Sequence, residues 1–526
     1  TLVENNYFDR CDGEVEIISV KSGRNRVSGN LFYESRGTLT LRHGNDNLVE
    51  NNLFLGNGVD HTGGIRVINK RQTIRNNYLQ GLTGYRFGGG LVVMNGVPNS
   101  SINRYHQVDG AVIQNNSLIN VEHLQFAAGS DAERSAIPVN SSFSNNLVFN
   151  EKGRDAFTLY DDVSGIRFEN NLLNNVKNPK LTQGFHNRNV ALEKAANGLL
   201  YPRDTELAAI GAKRDLVVLD KDSTGATWYP KADRSIRFDT GATINVQPTA
   251  AALETAIKQA QAGDIIRLAA GDYRVSRVLN IDKPLTFAAN NDAEIQFERT
   301  TLFEIADGGS LKLSGLAVSG KSSPDNVGNS VIRTSRYSML INYQVEVENS
   351  KFTDLDVNRS FNFLNVAKST MADSISIVDS QFSNVSGAIL QLDKETDDYG
   401  IFNADYVRIT GSSFTNVQGA LTKLYRGGTD ESTFGPHFFL KDSKLINVGT
   451  GSKNKSKSSI YLHGVQVTEL ANNSLSESAA IKIQHTVGEP ATRIVNNRLT
   501  GMPLPTVQEL HSRKENTAVI EGNSVN

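Results

Sequence analysis

The sequence predicts an all-β chain folded as a right-handed parallel β-helix, with two such solenoids in tandem. Three observations point there. An Asn-rich pentapeptide recurs along the amino-terminal part of the chain at intervals that cluster in the twenties. Each copy is accompanied by short alternating apolar runs, and Gly, Asn, Asp and Ser separate the runs. The leucines at set positions that a leucine-rich repeat requires are missing.

The copies are ENNYF (4–8), SGNLF (28–32), ENNLF (50–54), RNNYL (75–79), QNNSL (114–118), SNNLV (144–148) and ENNLL (169–173). Their second Asn, or its equivalent, falls at Asn6, Asn30, Asn52, Asn77, Asn116, Asn146 and Asn171, with spacings of 24, 22, 25, 39, 30 and 25 residues. Asn tolerates left-handed backbone, and its amide can ladder onto the same residue one coil away, at a coil spacing of about 4.8 Å. The two longer intervals are read as coils with extruded loops, which in solenoids commonly wall the binding groove. The apolar runs Val15-Ile17, Leu39-Leu41 and Ile65-Val67-Ile68 supply the strands between.

Charged residues recur at the same period. Lys21 to Arg42 is 21 residues and Arg42 to Arg66 is 24, so the spacing predicts a stacked cationic column. Glu14 and Glu16 share a strand face, because side chains alternate with period two. One reading is a solvated ladder of opposite charges worth little per pair. The other is a cation site beside an acid and a base, built for an anionic polymer lying along the groove.

The run GEVEIISVKSGRNRVSGNLFYESRGTLTLRHGN (13–45), with GGIRVIN (63–69), resembles the catalytic core of polysaccharide lyase family 6, which includes alginate lyases and the dermatan-cleaving chondroitinase B. The resemblance implies a calcium ion on Glu14 and Glu16, Lys21 as base, Arg42 as acid, and His43 and Arg66 against substrate. It further implies β-elimination on alginate, with dermatan sulfate as the alternative substrate. A metal on the uronate carboxylate would neutralise the charge that builds when the C5 proton leaves. The neighbouring cations disfavour a protonated Lys21, and Arg42 suits electrostatic stabilisation of the leaving oxygen better than proton donation. The family's calcium asparagine and capping helix would precede Thr1, so the first solenoid is expected to begin partway along its coils.

Other residues carry weaker signals. His61, Tyr85 and Arg86 fall on coil edges and could contact sugar, or be solvated loop residues. His43 should point away from Arg42 in a regular strand unless a bend turns it. Asp161-Asp162 invites comparison with a glycosidase carboxylate pair, but YDDVSG reads better as a turn. The GGG at 88–90 reads as a site of close backbone packing. Cys11 is the single cysteine, which excludes an internal disulfide, and is read as a buried small residue.

Formal net charge is −2, which disfavours nucleic acid as a partner and leaves polyanion binding to local cations. No apolar stretch approaches membrane-spanning length. A polymer substrate argues for a periplasmic or secreted protein. The catalytic solenoid is assigned to residues 1–200, an interdomain connection anchored by Trp228 to 201–240, and a second solenoid to 241–526. Helical spacing over 253–262 with a Gly263 stop predicts a cap for that second solenoid. Its units should end near Phe352, Phe382, Phe414, Leu445, Leu475, Leu499 and Val525. The Glu-x-Glu, Lys and RHG set does not recur there, so support, groove extension or homodimerisation is expected of it. A β-helix glycosidase and a non-catalytic polysaccharide-binding solenoid remain the competing classes.

Overall fold

A computed structural model describes residues 1–227, 236–249, 251–290, 292–512 and 516–526; Trp228 lies outside them. The chain divides into two compact units, Thr1–Asp233 and Arg234–Asn526.

In the first unit the strands form parallel sheets of seven, eight and six strands among the described residues. Each sheet takes every third strand in chain order, which is what a three-sided coil requires, except that the eight-stranded sheet ends on two successive strands, Asn171–Asn174 and Phe185–Arg188. The Asn copies explain why the coils stack in this register. The Asn6 side-chain amide donates to Asn30 Oδ1 at 2.9 Å, and the chain continues through Asn52, Asn77, Asn116, Asn146 and Asn171 at 2.9–3.1 Å. Asn52, Asn77, Asn146 and Asn171 are 0 % exposed, so each amide replaces the water it has lost with a neighbour one coil on. The residue before each ladder position carries the left-handed turn: φ is +56° at Asn5, +59° at Asn51, +53° at Asn76 and +54° at Asn115. The Asn pair thus divides two jobs, one residue bending the chain and the next bonding the coils. Behind the turns, Phe8, Phe32 and Phe54 stack at 4.5 and 4.4 Å between ring centroids, and Val27, Val49 and Ile74 extend the core.

The segment following the first solenoid packs back onto it. Leu199, Tyr201, Ala212 and Leu216 cluster with Leu31, Leu53 and Tyr78, and the Tyr78 hydroxyl accepts from the Leu200 N–H at 3.0 Å. The part of the expected connection from 201 to about 219 is therefore a strap along one outer face of the first unit.

The second unit has parallel sheets of eleven, ten and nine strands among the described residues. Phe352, Phe382, Phe414, Leu445, Leu475, Leu499 and Val525 form one unbroken ladder, each paired directly with the next. Here serine does much of Asn's work at the turns: Ser380 N–H donates to Ser412 Oγ, and Ser412 N–H to Ser443 Oγ, at 3.1 and 3.2 Å. The helix α1 spans Ala252–Gln259 and buries Leu253, Ala256 and Ile257 against the end of the core. It stops before the expected end. Ala260 is already extended, and Gly263, with φ +86°, belongs to the tight turn into the strand Ile265–Leu268.

Candidate active site

The strand Glu16–Ser19 pairs in parallel with Gly37–Thr40, Ser19 opposite Thr40. Val20 N–H donates to Thr40 O at 2.8 Å and His43 N–H to Val20 O at 2.9 Å, which carries the ladder onward. Both bonds fall on Val20, the residue before Lys21, and they span Leu41 and Arg42, so Lys21 and Arg42 lie just past the paired strands on adjacent coils. Two glycines permit the close approach. Gly37 has φ +126°, and a Cβ there would meet Glu14 O at 2.7 Å; Gly44 has φ +95°, and its Cβ would meet the Ser22 backbone at 2.2 Å. The glycine of the RHG run is thus the contact that lets the Arg42 coil lie against the Lys21 coil.

Arg66 does not join the column. It pairs with Thr40, two residues before Arg42, because the coil gains length through Gly63 and Gly64 and the register shifts between Gly37 and Leu39. Its guanidinium instead reaches back to Glu16 two coils away, Nη2 donating to Oε1. Arg42 Nη1 lies 3.6 Å from the same oxygen. Arg66 is 2 % exposed and the Glu16 side chain 8 %, so this is a buried ion pair. Burial pulls the Arg66 guanidinium below its ordinary pKa, while Glu16 opposes the shift. Burial would also lower Arg42, but Tyr105, Glu16 and Glu14 outweigh it and hold that guanidinium above its ordinary value. Glu14 and Glu16 therefore act on the same cations. Arg42 keeps its charge firmly, which suits stabilising an oxyanion rather than giving up a proton.

Three residues at this site had no sequence signal of their own. Arg42 Nη1 donates to the Tyr105 hydroxyl at 2.7 Å, and its guanidinium sits 4.5 Å from the Tyr105 ring centre. Arg134 approaches the same ring at 5.3 Å and the Phe87 ring at 5.9 Å, and Arg66 lies 5.4 Å from Phe87. Tyr105 and Phe87 belong to the long interval between Asn77 and Asn116, and Arg134 to the interval between Asn116 and Asn146. The unusual spacings were the available clue. Which residue of each loop returns to the groove is a matter of tertiary packing.

His43 sits at a bend rather than in a strand. Burial lowers its pKa, with Arg42 and Lys21 adding to the effect. His61 lies apart in a left-handed turn with φ +63°, where burial lowers its pKa and its charged neighbours are Asp60 and Arg36. Tyr85 is 43 % exposed and packs edge-on to His123 at 4.9 Å. Arg86 opens the short helical turn Arg86–Gly88 and lies 5.9 Å from the Phe87 ring. Asp162 accepts from Ser164 N–H and Oγ–H at 2.8 and 2.7 Å, the geometry of a turn. Asp161 accepts from Asn95 and Ser130 at 2.9 and 2.8 Å and ties loops together. The Gly88 and Gly90 carbonyls press on Gly63 and Gly64, where a Cβ would lie 2.7 and 1.9 Å from them. Cys11 is half-buried, and burial raises its thiol pKa.

Among the described residues, no three His, Cys, Asp or Glu side chains converge as a cation cage. Glu14 and Glu16 fit calcium by donor type, being hard carboxylate oxygens. By number they supply at most about four of the roughly six to eight oxygens calcium takes, leaving the rest to other donors.

A family profile for chondroitinase B matches residues 1–211. Across the whole chain, the solved structure of the PL6 family alginate lyase AlyGC is similar, with 51% identity, TM-score 0.91, and coverage of 100% of this chain and 73% of that one. An arginine-to-alanine variant of AlyGC matches at 50% identity and TM-score 0.91, covering 100% of this chain and 73% of that one. No curated protein matches. With identity of 51% over its full length and two units of parallel β-strands, this chain belongs to polysaccharide lyase family 6.

Proposed function

We propose that this chain cleaves alginate by β-elimination, with Lys21 and Arg42 as the working pair. What supports the reading is that they follow paired strands on adjacent coils, with Arg42 held by Tyr105 and Glu16. A neutral Lys21 Nζ takes the C5 proton of the uronate. The C–H electrons form the C4–C5 double bond, the C4–O bond breaks, and the departing oxygen, stabilised by the Arg42 guanidinium, takes a proton from solvent, to which protonated Lys21 returns the one it gained. No water is consumed, and one product carries a 4,5-unsaturated uronate. His43, which follows Arg42 and bonds through its N–H to Val20 O, contacts the sugar, while Arg66 keeps Glu16 in position. A calcium ion held by Glu14 and Glu16 would neutralise the substrate carboxylate. The remaining candidates, His61, Tyr85 and Arg86, stand as outer substrate contacts. The substrate is too large to enter a cell intact, which favours a periplasmic or secreted enzyme.

The test is digestion of block-defined alginates, with dermatan sulfate in parallel, read by ultraviolet absorbance and mass spectrometry. Unsaturated ends from alginate, lost in Lys21→Ala and reduced by a calcium chelator, are expected. Saturated reducing ends would identify a glycosidase, and binding without new ends a non-catalytic solenoid. Release from dermatan sulfate alone would move the substrate to the runner-up.

A further inference from the structure

The second unit has its own cavity of about 800 Å³, on the face of the nine-stranded sheet. Five cations line it: Arg359, Lys423, Lys453, Lys455 and Lys482. Among the described residues none of the five has an ion-pair partner, whereas Lys312 and Lys441 elsewhere on this unit are paired with carboxylates. Asp393 is the one acidic residue on the wall, and its Oδ1 is buried without a hydrogen-bond partner among the described residues. An unpaired buried acceptor is costly unless something fills it.

The remaining wall carries hydroxyls and amides. Tyr461 donates to Gln484 Oε1 at 2.8 Å, and the Gln484 amide donates to Gln508 at 2.8 Å. Lys423, Tyr461 and Lys482 stand on three consecutive rungs of one ladder. The two lysines are thus roughly 9.6 Å apart along the solenoid at about 4.8 Å per rung, a length comparable with a disaccharide. Cations for carboxylates, amides and an orphaned carboxylate oxygen for hydroxyls, and a single ring for a pyranose face together describe a sugar acid. A nucleic acid strand would call for a series of stacking aromatics, and this wall has one.

We propose that this cavity is a second, non-catalytic binding site for a uronate oligosaccharide, holding polymer while the first unit works. The identity of the glycan rests on the function proposed above; the site itself rests on the cavity.

The test uses the full chain carrying Lys21→Ala, so that polymer survives. Binding of saturated uronate oligomers is measured by calorimetry, and mobility in native gels containing polyuronate is recorded. Two binding events per chain are expected. Adding Lys423→Gln and Lys455→Gln should weaken one of them about tenfold, equivalent to about 1.4 kcal/mol, and relieve gel retardation with unchanged melting temperature. With Lys21 intact, the same two changes should leave turnover of short oligomers unaltered. Unchanged binding in the Lys423/Lys455 variant overturns the proposal. So does equal binding of single-stranded nucleic acid, which would mark a generic polyanion surface. Cavity-dependent binding by a protein that yields no unsaturated ends would sink the lyase reading and leave this one standing.

Discussion

Tyr105, carried on a loop between the coils of Asn77 and Asn116, accepts a 2.7 Å hydrogen bond from Arg42 and stacks beneath its guanidinium. One side chain thus fixes both the position and the plane of the cation proposed to stabilise the leaving oxygen. Tyr105→Phe keeps the ring and removes the hydroxyl, and should lower kcat about five- to tenfold, in line with about 1 kcal/mol for one hydrogen bond. Tyr105→Ala also loses the cation–π contact and should cost more. Steady-state kinetics on defined oligomers check the ranking; equal losses in both variants would refute it.

Lys21→Ala should reduce turnover by about 10²–10⁴-fold, the usual contribution of a positioned base. Lys21 is exposed and its side chain holds no part of the core, so thermal stability should be unchanged. A variant that retains near-parental rates places the base elsewhere.

Glu16 answers the buried Arg66. Glu16→Gln leaves that guanidinium uncompensated and should destabilise the first unit by about 3–5 kcal/mol, read as a lower denaturant midpoint. Adding Arg66→Met removes the orphaned charge and should recover a good part of the loss. No recovery in the double variant would mean the pair is not coupled as the geometry requires.

Position along the Asn ladder should set the cost of breaking it. Asn77 donates to Val49 O, Arg75 O and Asn116 Oδ1, and its own Oδ1 accepts from the Asn52 backbone and amide. Asn77→Ala should therefore cost about 3 kcal/mol or more, since several buried groups lose partners together. Asn6 donates only to Glu4 O and Asn30 in a part-exposed setting, so Asn6→Ala should cost about 1 kcal/mol or less. Chemical denaturation of the two variants compares them directly.

The second unit should weaken in mild acid. His485 is 0 % exposed; its Nδ1 meets Glu509 Oε2 and its Nε2 meets Thr492 Oγ1, each at 2.8 Å. Burial holds its pKa below the ordinary 6.5 even though Glu509 pulls the other way. Burial would raise Glu509, but hydrogen bonds from Thr517 N–H, His485 and His511 outweigh it and leave that carboxyl below its ordinary 4.5. For both groups the unfolded chain takes up its proton first as pH falls. Stability is therefore full above about pH 6.5, declines as pH drops toward the lowered His485 value, and declines again below about 4.5. Melting temperature followed from pH 7.5 to 5.5 should fall, and His485→Gln should flatten that slope. A flat parental profile would contradict the assignment.

Much of the fold and of the candidate site is legible in the order of residues along the chain. The recurring Asn residues identify their own ladder partners, because a buried amide is satisfied by an identical amide one coil away. The Phe352-to-Val525 column follows from the same logic in apolar form, and one-coil spacing puts Lys21 and Arg42 just past paired strands on adjacent coils. Arg66 escaped it: a longer coil containing Gly63 and Gly64 moved that arginine two residues out of line, and its length carried it to Glu16 instead.

By itself the sequence determined the coil, its register at the Asn turns, the lysine–arginine pair and the carboxylates beside them, since each repeats or lies within one period and so selects its own neighbour. Only the tertiary structure decided that Tyr105 reaches Arg42, that Phe87 packs beside Arg66 and Arg134 beside Tyr105, and that Lys423 and Lys482 face a common cavity on the second unit. Extruded loops obey no period, and a cavity belongs to the space between side chains; both are settled by how packed coils leave room, which no interval along the chain records.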